Sequence, residues 1–118
     1  MGTLDITKET KLSGPNEIAI INITGSLDAH TAPQMDEILS ELVHNKKNKL
    51  LVNFIHLEYI SSAGMGLFVG WIDTIRDQGG DIHMIQLKPN VMKVFQILGF
   101  DKIFKIFKNE KDAIDAFL

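Results

Sequence analysis

Residues 50–66 read LLVNFIHLEYISSAGMG, an aliphatic run that passes through a mixed segment into two hydroxyls and two glycines. Lys49 to Phe54 places apolar side chains at consecutive positions, the pattern of a central strand covered on both faces. The chain then passes through His56-Leu57-Glu58 to Tyr59-Ile60 and reaches Ser61-Ser62-Ala63-Gly64. From Ala63 to about Asp77, Met65, Phe68, Ile72 and Ile75 recur at spacings of three and four, which predicts a helix. Ser62 stands at the N-cap or first position of that helix, where peptide N–H groups are unpaired and the helix dipole favours negative charge. Such a place stabilises a bound anion, or a phosphoryl group carried by the serine itself. Serine is also a favoured N-cap in any helix, so the plain reading of SSAG is a helix start with an exposed hydroxyl.

Outward from this stretch the same alternation continues. Leu4 to Thr7 reads as an edge strand, Ser13-Gly14-Pro15-Asn16 as a turn, and Ile18 to Thr24 as a doubly covered strand closed by Gly25. Thr31-Ala32-Pro33-Gln34 has the form of a capping box, and Met35, Ile38, Leu39 and Leu42 follow as one buried helical stripe. HNKKNK at 44–49 is the densest basic run and reads as a helix-to-strand turn or a partner patch. Gly66, Gly70, Asp73 and Asp77 line the far side of the second helix, the glycines suiting a face that something approaches closely or tight internal packing. Asp81 to Gln86 predicts a strand and Pro89 to Leu98 a helix burying Val91, Phe95 and Leu98, with Gly99 as C-cap. Lys102 to Phe107 reads as a short strand, and Asn109 with Asp112 caps a last helix bearing Ala113, Ile114 and Phe117. The expectation is an α/β fold, a single domain over residues 1–118 with a mixed, largely parallel sheet and interleaved helices.

Composition narrows the function. With 118 residues and 45% hydrophobic content, one core is expected and no disordered tail. No cysteine is present, which removes disulfides, thiolate nucleophiles and thiolate metal sites. Twelve Lys and Arg against fifteen Asp and Glu disfavour a broad nucleic-acid surface. The N-terminus lacks a leader pattern and no apolar run approaches the roughly 20 residues that span a bilayer, so the expectation is cytoplasmic, without membrane contact. No phosphate-binding glycine loop, GxSxG or HExxH occurs. His30, His44, His56 and His83 lack the close spacing of a ligand couplet, so neither a metal nor a cofactor is expected. A hydrolase on Ser61 or Ser62 would need a histidine base, and His30 with Asp28 lies in the loop that could approach them. Asp28 either orders the turn before Thr31 or presents a carboxylate to a partner.

Three segments in order, GSLDAHTAP at 25–33, LLVNFIHLEYISSAGMG at 50–66 and LKPNVMKVFQILGFDKIFKIF at 87–107, resemble the STAS domain of bacterial anti-sigma factor antagonists. The resemblance covers nearly the whole chain. It implies a binding protein with no catalysis of its own, which engages an anti-sigma factor with serine kinase activity and is itself the kinase's substrate, a serine phosphatase reversing the modification. The family motif, Asp-Ser-Ser-Gly or Asp-Ser-Ala-Gly, falls on Ser61-Ser62-Ala63-Gly64 and implies Ser62 as the phosphorylated residue. Ser61 takes the place of the aspartate, and Asn53 stands where the family often has another. The resemblance further implies partner contacts at Asp28, Ser61, Ser62, Gly64, Gly66 and Leu67, with the two glycines keeping the helix start accessible and Trp71 either joining Leu67 or belonging to the core. With no transporter segment or sensor domain ahead of the motifs in this sequence, the expectation is a stand-alone antagonist and not the scaffold role that this fold has in transporters and stress assemblies. The alternatives are a constitutive scaffold or adaptor, which Ser61 and Asn53 keep open, and a small serine hydrolase.

Overall fold

The computed structural model of the protein describes residues 2–117. Two strands open the chain, β1 (Leu4–Ser13) and β2 (Asn16–Leu27), followed by α1 (Ala32–His44), β3 (Lys49–Ile60), α2 (Ser62–Asp77), β4 (Asp81–Ile85), α3 (Pro89–Ile97), a 3-10 turn (Phe100–Lys102), β5 (Lys105–Phe107) and α4 (Glu110–Asp115). The strands lie in the order β1-β2-β3-β4-β5, with β1 antiparallel to β2 and every later neighbour parallel. Each parallel step is made by a helical crossover, as the alternation of strand and helix requires. The expected mixed, largely parallel α/β sheet is what the chain forms. Among the described residues no helix is long and apolar enough to cross a membrane.

Period two along the central strands sorts the core into two layers. Ala19, Ile21 and Ile23 of β2 join Leu50, Val52 and Phe54 of β3 beneath α1, α2 and α3. Ile18, Ile20, Leu51 and Ile85 point to the other face, where Ala113 and Ile114 of α4 cover them. The larger layer is knit by aromatic contacts: Phe54 lies 6.0 Å from Phe68 and 5.7 Å from Phe95, and Phe104 closes the group at 6.4 Å from both. These edge and tilted geometries suit the ring quadrupoles. All four rings are buried, so the cluster fixes how α2 and α3 sit on the sheet.

Several boundaries depart from the sequence reading. β1 does not stop near Thr7; the hairpin pairs in unbroken register to Ser13↔Asn16, around a left-handed Gly14 (φ 58°) followed by proline. Residues Thr7–Leu12 are exposed, so no apolar alternation announced them, and their charges guard the sheet edge. β2 runs past Gly25 to Leu27, and β3 runs past Phe54 to Ile60, because the two strands stay paired as far as Leu27↔Ile60. Two register shifts interrupt that pairing, which puts the buried Leu57 and Ile60 three apart instead of two. Beyond Asn53 the other edge of β3 has lost β4, and Asn90 of α3 donates instead to the Glu58 carbonyl at 2.8 Å. The last strand is only three residues long, Phe100–Lys102 having coiled into the 3-10 turn, and Leu98 is 38% exposed where burial was expected, since α3 ends at Ile97.

The capping box at Thr31 does not form. Thr31 has helical backbone angles (φ −95°, ψ −15°) and makes no side-chain cap. Its hydroxyl donates to the Ser26 carbonyl at 2.8 Å and accepts from the Asp28 N–H at 3.0 Å, while the Gln34 amide reaches across to the Leu4 carbonyl. Thr31 is thereby buried as a brace for the turn between β2 and α1. Asn109 does cap α4, accepting from the Asp112 N–H at 2.9 Å.

Candidate functional site

β2 and β3 end together at their carboxyl ends, at Leu27 and Ile60. The Ser61 N–H donates to the Leu27 carbonyl at 3.0 Å, so the turn after β2 and the start of α2 are joined directly. Ser61 is extended (φ −97°, ψ 167°), and its Oγ accepts from the Gly64 N–H at 3.1 Å. It is the N-cap, and Ser62 is the first helical residue. Ser62 is exposed and, among the described residues, its hydroxyl has no hydrogen-bond partner.

Gly64 is buried and serves the fold. A Cβ there would stand 2.5 Å from the Leu27 carbonyl oxygen and 3.0 Å from the Leu27 side chain. Only glycine lets the first turn of α2 rest on the end of β2. Gly64 therefore does not keep the helix start open, as the motif suggested. Nothing lies within 4 Å of a Cβ built on Gly66 or on Gly70, so internal packing explains neither.

Asp28 follows Leu27 directly. Its Oδ1 accepts from the Thr31 N–H at 3.0 Å and the His30 N–H at 2.9 Å. The Thr31 N–H foremost, then that of His30, holds the carboxyl below the usual carboxylate range despite the opposing pull of burial. The residue orders its turn and keeps a negative charge beside the helix start. Of the two readings of Asp28, these bonds show the turn-ordering one.

Leu67, half-buried, lines a shallow groove of about 400 Å³ between the beginnings of α1 and α2, with Ala29, Ala32, Pro33 and Ala63 as its apolar wall. Asp36 closes one side and accepts from the Trp71 indole N–H at 2.7 Å. Trp71 packs against the core and is anchored there. Sequence reasoning missed the groove's alanines and Pro33, because small residues announce a concavity only when two helices are seen together.

Asn53, unlike Ser61, is not part of the helix start: it lies in mid-sheet, donating to Asn22 Oδ1 at 3.2 Å and accepting from the Ile55 N–H at 3.1 Å. A hydrolase needs an enclosed serine with a histidine in reach; Ser62 lies on open surface, and no histidine hydrogen-bonds to either serine among the described residues. His83 is buried beneath α4, its Nδ1 2.7 Å from the Ala113 carbonyl and its ring stacked 3.7 Å from Phe117. Among the described residues no three His, Asp or Glu side chains are grouped to hold a metal.

Strand ends that finish together, a capped helix start and an open apolar groove share one end of an α/β domain. The sequence profile of the STAS domain matches residues 9–113, and the chain belongs to the STAS domain family. It is homologous to anti-sigma factor antagonists. The anti-sigma-B factor antagonist of Staphylococcus aureus is 23% identical over 86 residues, 73% of this chain and 80% of that protein. An anti-sigma factor antagonist from Mycobacterium paratuberculosis superposes with a TM-score of 0.79 at 19% identity, covering 95% of this chain and 93% of the other. The antagonist SpoIIAA, in its unphosphorylated form, superposes with a TM-score of 0.75 at 24% identity over 93% and 95% of the two chains, and SpoIIAA has also been solved phosphorylated. Members of this group are regulatory binding proteins, not catalysts.

Proposed function

We propose that this chain is a cytoplasmic anti-sigma factor antagonist, that its partner is an anti-sigma factor with serine kinase activity, and that phosphorylation of Ser62 turns it off until a serine phosphatase restores it. The observation that carries this reading is the division of labour between two serines: Ser61 caps the helix and Ser62 keeps its hydroxyl free at the first helical position. A hydroxyl already committed to a cap is a poor acceptor for a kinase, whereas Ser62 is unencumbered. A phosphoryl group there adds about −1.5 to −2 charges, tolerated by the helix dipole. Asp28 follows Leu27, whose carbonyl holds the Ser61 N–H, and Ala63 and Leu67 follow Ser62 along the groove wall. A partner surface fitted to that wall would meet a bulky anion and lose affinity through repulsion and desolvation.

The kinship to SpoIIAA, described in both unphosphorylated and phosphorylated forms, supports the same reading. In this scheme Asp28, Ser61, Ser62, Gly66 and Leu67 touch the partner, while Gly64 contributes by setting the approach of α2. Site-resolved mass spectrometry of the protein from growing and stressed host cells tests it. Phosphate on Ser62 that varies with condition is expected; Ser62 covered by peptides and unmodified in both would leave a constitutive scaffold.

A further inference from the structure

The β5 edge of the sheet carries a second surface. β5 is the outermost strand, and beside it α3 leaves a groove of about 570 Å³ floored by Leu87, Met92 and Ile106 and closed by Phe107 and Lys108. The Gln86 N–H donates to the Phe107 carbonyl, so Phe107 turns its backbone groups toward β4. In an extended strand these directions alternate, which leaves the N–H and C=O of Ile106 facing outward along the groove.

The stretch that forms the groove is rich in lysine, and Lys108 lines the groove itself. Of the twelve basic residues of an acidic chain, Lys88, Lys93, Lys102, Lys105, Lys108 and Lys111 fall between Leu87 and Lys111, against only Asp101 and Glu110. Lys88, Lys105 and Lys111 are ion-paired, but Lys93, Lys102 and Lys108 form no ion pair among the described residues. Asp101 reaches the groove and is its one carboxylate.

The geometry points to a docking site for an extended acidic peptide of a partner protein, added to β5 as a sixth strand. The Ile106 backbone groups supply the strand register, Met92 and Leu87 take the inward apolar side chains, and Lys102 and Lys108 pair with the peptide's carboxylates. A second copy of this chain fits poorly, because pairing β5 with β5 about Ile106 would set Lys105 opposite Phe107 and bring Lys102 and Lys108 no carboxylate. The site lies apart from Ser62 and does not depend on the phosphorylation reading.

The test is a titration of the 15N-labelled protein with an end-capped heptapeptide of alternating valine and glutamate, followed by amide resonances and hydrogen exchange. Saturable shifts in residues 86–96 and 105–108, protection of the Ile106 N–H, and affinity that weakens with salt are expected. The double variant Lys102→Glu and Lys108→Glu, both exposed and so compatible with folding, should weaken binding by about tenfold or more. No saturable shift, shifts centred on residues 61–67, or equal binding by the double variant would each overturn the proposal. So would the same shifts produced by an oligothymidylate and not by the peptide.

Discussion

The Ser61 N–H and the Leu27 carbonyl, 3.0 Å apart, tie the end of β2 to the start of α2. Everything that the site presents is referenced to this bond. Asp28 is the next residue after Leu27, Ser62 the next after Ser61, and Gly64 is glycine so that the bond can be made.

The two serines should separate cleanly in stability measurements. Ser61→Ala removes the cap and leaves the Gly64 N–H unpaired, costing about 0.5–2 kcal/mol. Ser62→Ala removes an unpartnered, exposed hydroxyl and should stay within about 0.5 kcal/mol of the parent. Ser61→Asp keeps a capping oxygen and places a carboxylate at a helix N-terminus, so it should match or slightly exceed the parent. Urea unfolding of the three variants measures this, and equal losses for Ser61→Ala and Ser62→Ala would refute the assignment of the cap.

Glycines in the same helix should respond with opposite sign. Gly64→Ala drives a methyl into backbone oxygen and should destabilise by about 1–3 kcal/mol as the helix start is pushed off β2. Gly66→Ala and Gly70→Ala meet open space and should each stabilise by about 0.5–1 kcal/mol through helix propensity. Thermal unfolding distinguishes the signs without any knowledge of the partner.

That contrast shows where sequence reasoning reaches and where it stops. The aliphatic runs at Ile18–Thr24 and Lys49–Phe54 and the spacing of Met65, Phe68, Ile72 and Ile75 are local signals, and they sufficed for the parallel core. The outer half of β1 carried none, because Thr7–Leu12 touch no core, and the tail of β3 hid behind register shifts that break period two. At the site, the helix start was legible to within one residue, but which serine caps depends on the backbone angles of Ser61. Gly64 looked like surface because its obstacle, the Leu27 carbonyl, is 37 positions earlier in the chain. Thr31 and Gln34 matched a capping pattern whose oxygens and amides were claimed by Ser26 and Leu4 instead.

Acid should loosen the α4 side of the sheet before the rest. Burial holds His83 below its usual pKa of 6.5; the Ala113 carbonyl and Asp81 pull the other way without prevailing, and Lys105 and Arg76 add to the depression. Above pH 6.5 the ring is neutral in both folded and unfolded chains and contributes no slope. Below it the unfolded chain binds the proton first, so stability falls with pH until the folded pKa is passed, by at most about 1.4 kcal/mol per pH unit. Asp81 and Asp28, both held below 3.8, lose their contributions only at lower pH, which leaves the window just under 6.5 to His83. His83→Gln should flatten the urea-midpoint profile there, and an unchanged slope would exclude His83 as its origin.

Trp71 offers a direct view of the groove. It is the only tryptophan, its indole N–H donates to Asp36 at 2.7 Å, and Asp36 lies on the groove wall with Leu67. A hydrogen bond to an ionised acceptor contributes about 1.5–3 kcal/mol when desolvated and less where water competes, as at this exposed pair. Asp36→Ala should therefore cost about 1 kcal/mol or less while shifting the Trp71 emission. A partner seated against Ala63 and Leu67 should shift that emission in the parent, and the shift should shrink in step with affinity in a Ser62→Glu variant. Emission that ignores a bound partner would place the contact elsewhere than this groove.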